Sequence, residues 1–396
     1  MKYDYMEIGD IAEVTKLAGF EFTKYIEYID DGEIIALRAL NLRHGELDLS
    51  DVKRIDRQVS DSLLRSKLYR DDILLTYTGN GYGDCAIIEE NDKYHLAPNI
   101  CKITPNTTKI DPYFLYSYIR TNEFYQTMSN HMTGSSQPTI PMKTIRVLKV
   151  PVPPMEEQRK IASFMKSINI AIRNNTAINE NLEQQAQAIF SNEFLTLETL
   201  PDGWKQASLI DIADYLNGLA MQKYRPTADE SGIPVLKIKE LRQGCCDDNS
   251  ELCSPDIKSD YIIHDGDVIF SWSGSLLVDF WCGGICGLNQ HLFKVTSNKY
   301  DKWFYYAWTK HHLERFIAVA ADKATTMGHI KRDELSKAEV FIPNEADYNL
   351  IGAMLQPIYD LIIANRIENQ KLAETRDTLL PKLMSGEIDI SEVDYE

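Results

Sequence analysis

A glycine-rich stretch, Gly79-Asn80-Gly81-Tyr82-Gly83, has the composition of a loop that binds phosphate. A P-loop continues into a Lys-Ser/Thr pair and a helix, whose N-terminal N–H groups face the anion. Here no such pair follows, and Asp84 to Glu89 predicts a strand. At the matching place in the second half of the chain only Gly274 is present. The stretch therefore predicts a turn that presents small polar groups at the surface, not a nucleotide site.

Cysteines in the second half of the chain could suggest a zinc site: Cys245, Cys246, Cys253, Cys282 and Cys286. Structural zinc sites favour paired knuckles in which a few residues separate two cysteines. The spacing of Cys282 and Cys286 is compatible, but Cys245 and Cys246 are adjacent and do not readily form a knuckle. The first half retains only Cys85 and Cys101. Small buried residues are the default interpretation, and no metal is predicted.

Histidines could serve acid–base catalysis, and the candidates are His291, His311, His312 and His329. None has a counterpart in the other half, and no Ser or Cys lies in the context of a nucleophile elbow. Asp256-Ile257-Lys258 is a fragment of a nuclease-like motif without a second carboxylate at suitable spacing. The sequence therefore predicts that the chain is not itself an enzyme.

Two kinds of polar loop occur at matching places in both halves. One follows a predicted central strand, at residues 76–82 and 271–275, and the other precedes the last predicted strand, at residues 134–140 and 323–330. Both are rich in side chains that hydrogen-bond base edges and phosphates. Any single residue is equally well explained as solvated surface, but recurrence in both halves favours binding.

Basic residues at matching places after an early strand of each half complete the candidate nucleic-acid contacts. The full set is Arg38, Arg43, Thr78, Asn80, Tyr82, Ser135, Ser136, Gln137, Lys237, Lys239, Arg242, Trp272, Ser273, Ser275, Lys323, Thr325 and Thr326.

Two copies of one long amphipathic helix must position these loops, from about residue 154 to 194 and from about residue 343 to 384. In both, apolar positions alternate steps of four and three residues, the spacing of a coiled-coil seam. Two asparagines interrupt each seam at equivalent steps, and a buried Asn is costly and usually kept to fix register. The chain is therefore predicted to be a tandem duplication. The predicted helix-pairing residues are Ile161, Ile168, Ile172, Asn175, Asn179, Leu182, Ile351, Ile358, Ile362, Asn365, Asn369 and Leu372.

A globular segment precedes each long helix. In the first segment short strands are predicted at Ile34 to Leu40, Ile73 to Tyr77, Ala86 to Glu89 and Ile100 to Thr104. A helix with an aromatic stripe is predicted at Asp111 to Met128, and its counterpart at Lys302 to Val319. The aromatic rings could stack on bases. Packing of the helix on a sheet is the usual role of such a stripe, and it is the preferred interpretation.

The length and composition of the chain limit the number of domains and the class of protein. With 396 residues, 44% of them hydrophobic, the chain predicts two or three globular domains. Met1 to Asp10 lacks the apolar region of a signal peptide, and no run of about eighteen apolar residues predicts a membrane span. We therefore expect a cytoplasmic protein with reduced cysteines.

The formal net charge of −17 is unevenly distributed. Residues 1–153 hold 18 basic and 22 acidic side chains, and residues 200–342 hold 16 and 20, so each balance is −4. Residues 343–396 hold 4 and 11, a balance of −7. Because acidic and basic side chains are nearly equal in number in each globular part, each part could present a basic face. Net charge alone therefore leaves DNA binding undecided.

Several stretches resemble the specificity (S) subunits of type I restriction–modification systems. Val150 to Ala162 (VPVPPMEEQRKIA) resembles the beginning of their central conserved helix, and Thr375 to Ile388 (TRDTLLPKLMSGEI) resembles their C-terminal helix end. Gly134 to Ile140 resembles a motif of their target-recognition domains. The resemblance covers the whole chain in the right order. One departure is Asn344 to Tyr348, which lacks the Glu-Gln pair of the first copy.

The resemblance implies an α+β fold with pseudo-two-fold tandem repeats, in which two α/β target-recognition domains are separated by two long antiparallel coiled-coil helices. The expected segments are recognition domain 1 (residues 1–153), central helix (154–199), recognition domain 2 (200–342), C-terminal helix (343–386) and acidic tail (387–396). Helices of about 34 residues span roughly 50 Å, more than the roughly 34–36 Å of one DNA turn. How the four seam asparagines pair is left open.

The resemblance also implies a function. The expected partners are double-stranded DNA, two methyltransferase subunits that carry S-adenosylmethionine and methylate adenine, and in some complexes two restriction subunits. The chain itself is expected to hold no cofactor. Because the loops of the two halves differ, an asymmetric bipartite target is expected. The alternative is a coiled-coil adaptor whose globular repeats bind protein instead of DNA.

Overall fold

The computed structural model describes residues 3–43, 45–79, 81–132, 138–322 and 332–390. The chain forms two compact units. The first contains the residues up to Ile170 and those from Ala373 onwards, and the second contains Ala171–Leu372. Each long helix therefore contributes one part to each unit.

The globular part of the first unit is built from short strands and helices. Its strands are β1 (Asp4–Glu7), β2 (Ala12–Lys16), β3 (Ile34–Leu37), β4 (Leu42–Arg43), β5 (Glu46–Leu47), β6 (Lys53–Ile55), β7 (Ile73–Thr76), β8 (Cys85–Ile87), β9 (Tyr94–Leu96), β10 (Ile100–Pro105) and β11 (Lys149–Val152). Its helices are α1 (Ile8–Ile11), α2 (Gly19–Tyr25), α3 (Arg57–Ser62), α4 (Pro112–Ile119), α5 (Asn122–Ser129) and α6 (Met142–Val147). A 3₁₀ turn follows β3 at Ala39–Asn41.

A four-stranded antiparallel sheet in the order β2-β10-β7-β8 organises this part. Its central strand β7 is buried along its whole length, because both faces of the sheet are covered. Ile73 and Leu75 point into a core formed with the helices, whereas Leu74 points into a second core formed with β3 and β9. This alternation is the two-residue period of a strand. β3 pairs antiparallel with β6 and parallel with β9.

The second unit repeats these elements. Its strands are β12 (Lys205–Ser208), β13 (Asp214–Asn217), β14 (Ile233–Leu236), β15 (Leu252–Cys253), β16 (Ile262–Ile263), β17 (Val268–Ser271), β18 (Leu277–Phe280), β19 (Cys286–Leu288), β20 (Leu292–Thr296) and β21 (Glu339–Ile342). The long helices, each shared between the units, are α7 (Met155–Phe190) and α13 (Glu345–Ser385). Between them the second unit has the short helices α8 (Leu209–Ile212), α9 (Ile238–Gln243), α10 (Lys302–His311), α11 (Leu313–Asp322) and α12 (Asp333–Ser336). A π-helical turn, Ser191–Leu195, continues α7, and 3₁₀ turns lie at Met221–Lys223 and Ser259–Tyr261.

The strand order of the second unit confirms the duplication. Its main sheet runs β13-β20-β17-β18, matching β2-β10-β7-β8, and β12 pairs with β21 as β1 pairs with β11. β14 pairs parallel with β19, as β3 does with β9. Shared sheet order with a shared parallel pair identifies one supersecondary plan used twice.

The long helices α7 and α13 run antiparallel and pack along an apolar seam that is interrupted by asparagines. Within the second unit, Asn365 Nδ2 donates to Asn179 Oδ1 (2.9 Å), and Asn175 Nδ2 donates to Asn369 Oδ1 (3.0 Å). The partner number falls as the residue number rises, so the helices point in opposite directions. One amide of each pair also donates to a backbone carbonyl of the other helix: Asn179 Nδ2 to Ile362 (3.2 Å) and Asn369 Nδ2 to Ile172 (3.4 Å).

The predicted helix-pairing residues lie on the inner sides of the two helices. Those that are buried are Ile161, Ile168, Asn179, Ile351, Ile362 and Asn365. Those that are half-buried are Ile172, Asn175, Leu182, Ile358, Asn369 and Leu372.

The beginning of each long helix is hydrogen-bonded to the N-cap residue of the aromatic helix in its own unit, α4 or α10. In the first unit the buried Gln158 accepts the backbone N–H of Asp111 at 2.8 Å. In the second unit Tyr348 replaces Gln158, and its hydroxyl accepts the backbone N–H of Asp301, also at 2.8 Å. Asn344 caps α13 by accepting the N–H of Asp347 (3.0 Å). The departure at Asn344 to Tyr348 therefore keeps the anchoring hydrogen bond with different chemistry.

Both aromatic helices are shorter than predicted. The segment from Asp111 to Met128 forms two helices, α4 and α5, because the Thr121 hydroxyl accepts the N–H of Phe124 (3.2 Å) and caps a new helix. The segment from Lys302 to Val319 likewise divides into α10 and α11 around His312. The core interpretation of the aromatic stripes is confirmed, since Phe114, Tyr116, Tyr118, Phe124, Trp303, Phe304, Tyr306, Trp308 and Phe316 are buried.

Two further sequence predictions need correction. The strand expected at Ile34 to Leu40 ends at Leu37, because the buried Asn41 bonds back to the N–H of Arg38 and forms the 3₁₀ turn. The loop that ends at Ile140 does not lead directly into the last strand, since α6 intervenes before β11. Ile388 and Ile390, at the start of the acidic tail, pack on the core of the first unit. Within the described residues no helix is both long and apolar enough to span a bilayer.

Replacing one buried seam amide is expected to cost more than replacing both members of a pair. Asn179→Leu leaves the Asn365 amide buried without its partner, which costs about 1–3 kcal/mol of unfolding free energy. In the double variant with Asn365→Leu, a smaller loss is expected because the second unpaired amide is removed. Urea unfolding followed by circular dichroism measures both. Asn174→Leu, at an exposed position of α7, is the control and should change little; equal losses in the single and double variants would contradict the pairing.

Candidate nucleic-acid interface

The two predicted polar loops meet in the first unit. After β7 the chain turns at Gly79, whose φ of 90° favours glycine, and Gly79 N donates to the carbonyl of Pro138 (3.0 Å). The Thr78 and Thr139 hydroxyls are 2.6 Å apart, and Ile140 N donates to the carbonyl of Tyr77 (2.9 Å). Thr78 therefore lies beside the described end of the second loop.

The second unit has the same turn after β17. Gly274, with φ of 67°, occupies the place of Gly79, and Ser273 occupies that of Thr78. Ser273 Oγ lies 3.1 Å from His291 Nδ1, and Trp272 N lies 3.4 Å from the carbonyl of His291. In the first unit the equivalent backbone bond joins Tyr77 N to Asn99 O (3.2 Å).

A polar side chain from the second strand along the sheet contacts the aromatic side chain of the turn in each unit. Lys16, the last residue of β2, places its Nζ 5.2 Å from the ring centroid of Tyr77. Asn217, the last residue of β13, accepts a hydrogen bond from Trp272 Nε1 (3.0 Å). Both pairs use strands that are separated by one strand, β10 or β20. The same backbone position therefore carries Lys–Tyr in one unit and Asn–Trp in the other.

Four predicted contacts of the second unit lie together. Arg242 at the end of α9 donates from Nη1 to Ser275 Oγ (3.2 Å), and Ser275 belongs to the turn that carries Trp272 and Ser273. Ser271 Oγ donates to the carbonyl of Ser275 (2.8 Å) and holds this turn. The cluster offers a guanidinium, an indole and hydroxyls, groups that bond to phosphates and base edges.

Within the described residues, the other four predicted basic contacts are paired with carboxylates. Arg38 pairs with Asp51 (3.2 Å) and Arg43 with Asp48 (3.7 Å). Lys237 pairs with Glu251 (2.5 Å) and Lys239 with Asp247 (2.9 Å). The hydrogen bonds from these lysines lower the pKa of Glu251 and Asp247, so both carboxyls are charged at neutral pH. A DNA phosphate has to compete with these acids for the same cations.

Tyr82 packs differently from the predicted reading residues around it. Its ring stacks on Tyr125 with centroids 5.3 Å apart, and the two hydroxyls are 2.5 Å apart. Tyr82 therefore supports the glycine-rich turn from the α5 side. The predicted contacts Asn80, Ser135, Ser136, Gln137, Lys323, Thr325 and Thr326 lie outside the described residues.

Three residues of this interface were missed from the sequence: Lys16, Asn217 and His291. The sequence indicates His291 only as a possible acid–base group. Their relation to the turns depends on the strand order β2-β10-β7 and β13-β20-β17, which no local pattern reveals. The available signal was that Lys16 and Asn217 occupy matching places in the two repeats.

Of the histidines considered for catalysis, His312 is buried, His291 is half-buried, His311 is exposed, and His329 lies outside the described residues. Burial lowers the pKa of His312 to about 4, so this histidine is neutral. Burial raises the pKa of the Cys85 and Cys101 thiols to about 12, which keeps both protonated. All seven cysteines are free, and the described part of the chain contains no group of three or more His, Cys, Asp or Glu that could hold a metal. The chemistry of the interface is hydrogen bonding, charge and stacking.

The comparisons with known proteins identify the same domain twice in the chain. The profile of the type I restriction modification DNA specificity domain matches residues 1–184 and again residues 201–374. The chain belongs to this family. It is therefore a specificity subunit, the non-catalytic subunit of a type I restriction–modification system, and membership implies DNA binding and assembly with other subunits of the system.

Relatives extend along most of the chain. The MjaIX specificity subunit of Methanocaldococcus jannaschii is 26% identical over 71% of this chain and 70% of its own length. The HindI specificity subunit of Haemophilus influenzae is 20% identical over 96% of this chain and 98% of its own length. The crystal structure of the S subunit from M. genitalium is similar in fold, with a TM-score of 0.62 at 13% identity, covering 97% of this specificity subunit and 96% of that chain.

Removing the Lys16 ammonium is expected to weaken DNA binding without changing sequence preference. A lysine that contacts phosphate contributes about one unit to the slope of log Kd against log salt concentration. Lys16→Ala should therefore reduce that slope by about one and weaken cognate and unrelated DNA alike. Fluorescence anisotropy over a salt series measures this in the assembled complex. Lys149→Ala, an exposed lysine on the separate β1–β11 sheet, is the matched control; an unchanged slope for Lys16→Ala would remove this residue from the interface.

Proposed function

We propose that this specificity subunit reads a bipartite, asymmetric DNA target, with one half-site assigned to each repeat. The observation that carries the proposal is the turn after β7 and β17, which recurs with the same backbone and different side chains. Its first copy presents Lys16, Tyr77 and Thr78, and its second presents Asn217 and Trp272, with Ser273 buried behind them against His291. A shared backbone supports a shared mode of approach to DNA, whereas different side chains favour different bases.

The chemistry of the two sites supports recognition of different bases by the two repeats. Asn is suited to bidentate recognition of adenine, and Arg242 beside Ser275 is suited to guanine or phosphate. The first site instead offers the Tyr77 ring and the Thr78 and Thr139 hydroxyls to the bases, while Lys16 beside them is assigned to phosphate. A target with identical half-sites is disfavoured because these donor and acceptor sets differ.

The proposal includes the rest of the complex. Two methyltransferase subunits dock on the repeats, hold S-adenosylmethionine and transfer its methyl group to adenine, and two restriction subunits join in a nuclease-competent form. Pseudo-two-fold repeats favour two copies of a partner, as in symmetric assemblies. The specificity subunit contributes no cofactor site, and the complex acts on DNA in the cytoplasm. The family match supports this function over that of a protein-binding adaptor.

Exchange of one globular segment tests the proposal. Residues 1–150 are replaced by the corresponding segment of a relative, and adenine methylation is mapped across the genome of a cell that expresses the complex. One half of the methylated motif should change while the other half and the spacer stay the same, because each repeat reads separately. The reciprocal exchange of residues 200–342 is the matched control and should change the other half. A motif unaffected by either exchange would contradict the proposal.

A further inference from the structure

Two loops of the second unit that carry cysteines are in direct contact. The first follows α9 and carries Cys246, and the second follows β18 and leads into β19, which begins at Cys286. A Cβ atom added at Gly283 would lie 2.8 Å from the carbonyl oxygen of Gly244, so the two backbones touch. This contact places the two cysteines on neighbouring segments, although they are far apart in the sequence.

Cys246 and Cys286 belong to one apolar cluster. Cys286 is fully buried in it, and the half-buried Cys246 packs against it. The other two cysteines nearby are placed differently. Cys253 packs in a separate cluster, and the sulfur of Cys245 accepts a hydrogen bond from Gln243 Nε2 (3.4 Å). The thiol that pairs with Cys286 is therefore that of Cys246.

The two thiols of this pair are chemically unequal. Hydrogen bonding from the Cys286 thiol lowers the pKa of Cys246, whereas burial and the neighbouring Cys246 raise the pKa of Cys286. The thiolate is the nucleophilic form of cysteine, and it needs access to a dissolved reagent. Cys246 has both properties and is suited to react first, while the buried Cys286 stays protonated beside it.

Both segments of the pair continue into the candidate interface of the second unit. Arg242, at the end of α9 and shortly before Cys246, donates to Ser275 in the turn after β17. The strand that begins at Cys286 leads to His291, which contacts the same turn. A disulfide needs an S–S distance of about 2.05 Å, far shorter than the contact of two separate thiols. Its formation would therefore draw the loop toward β19 and displace Arg242.

The first repeat has only two cysteines, Cys85 and Cys101. Both are buried, and burial raises the pKa of each to about 12. Neither thiol is therefore available as a thiolate to a dissolved oxidant. Oxidation of the chain is expected to affect the second repeat and to leave the first unchanged.

We propose that Cys246 and Cys286 are a redox modification site, at which a hydroperoxide forms a reversible disulfide that weakens DNA binding by the second repeat. The effect on DNA rests on the proposed function, whereas the disulfide itself does not. The structure supports the site through the contact of the two loops, the shared apolar cluster and the accessibility of one thiol beside a buried one.

The chemistry requires one peroxide and two thiols. The Cys246 thiolate attacks one oxygen of hydrogen peroxide, the O–O bond breaks, and the hydroxide that leaves takes up a proton to give water. The Cys286 sulfur then attacks the resulting sulfenic acid, and its proton leaves with the hydroxyl group as a second water. Two electrons pass from the thiols to the peroxide, and a dithiol reductant restores both thiols by exchange.

Peptide mapping of the unaltered full chain tests the disulfide. The chain is treated with hydrogen peroxide, the remaining thiols are alkylated, and proteolytic peptides are analysed by mass spectrometry without reduction. A cross-link between Cys246 and Cys286 is expected, and dithiothreitol should remove it. Cys246→Ser should abolish the cross-link, and Cys245→Ser, at the adjacent half-buried cysteine, is the matched control that should retain it. Unreacted thiols, oxidation without a cross-link, or a bridge through Cys245 or Cys253 would overturn the proposal.

Fluorescence anisotropy of the assembled complex with DNA that carries the methylated motif tests the effect on binding. Oxidation should raise the Kd about threefold or more, because displacement of Arg242 removes charge-assisted hydrogen bonds to DNA. Dithiothreitol should restore the Kd, and the Cys246→Ser complex should not respond to peroxide. A cross-linked chain with an unchanged Kd would overturn the inference, and the proposed function would stand if segment exchange still changes the motif. If neither exchange changes the motif, the proposed function fails, whatever the peroxide does.

Discussion

The paired asparagine amides between α7 and α13 are the constraint on which the architecture depends. Asn179 and Asn365 are buried, and each buried amide without a partner costs about 1–3 kcal/mol. An apolar seam tolerates sliding because one leucine packs much like another, but a slip here would separate both amide pairs at once. Within each unit, the start of the long helix is fixed separately, by Gln158 on the backbone of Asp111 and by Tyr348 on that of Asp301.

The candidate interface is built on the same backbone turn in both units. The turn after the central strand keeps its glycine with positive φ, its backbone bond to the start of the next strand and its small hydroxyl residue. The side chains around it differ: Lys16 lies over Tyr77 and Thr139 contacts Thr78 in one unit, whereas Asn217 bonds Trp272 and His291 contacts Ser273 in the other. Recognition can therefore diverge through a few side chains while the sheet that carries them is unchanged.

The sequence predicted the parts governed by local periodicity. The long helices, the buried aromatic stripes and the duplication follow from spacings that any amphipathic element must obey. The break at Thr121 was missed because a local side-chain cap prevailed over a continuous aromatic pattern. Lys16, Asn217 and His291 were missed because strand order brings them to the turns, and strand order is a long-range property. Tyr348 was read as a departure, although its hydroxyl performs the function of the Gln158 amide.

The asparagine pattern has a consequence for how such a chain could arise. Asn175 and Asn179 correspond to Asn365 and Asn369, so exchange of the two helices converts one amide pair into the other. Each helix therefore carries both asparagine positions that the pairing needs, so its polar pattern is complementary to that of an identical helix in antiparallel orientation. A gene encoding a single repeat would already yield a self-complementary homodimer. Fusion of two such genes would retain that association and allow each globular segment to evolve its own DNA sequence preference.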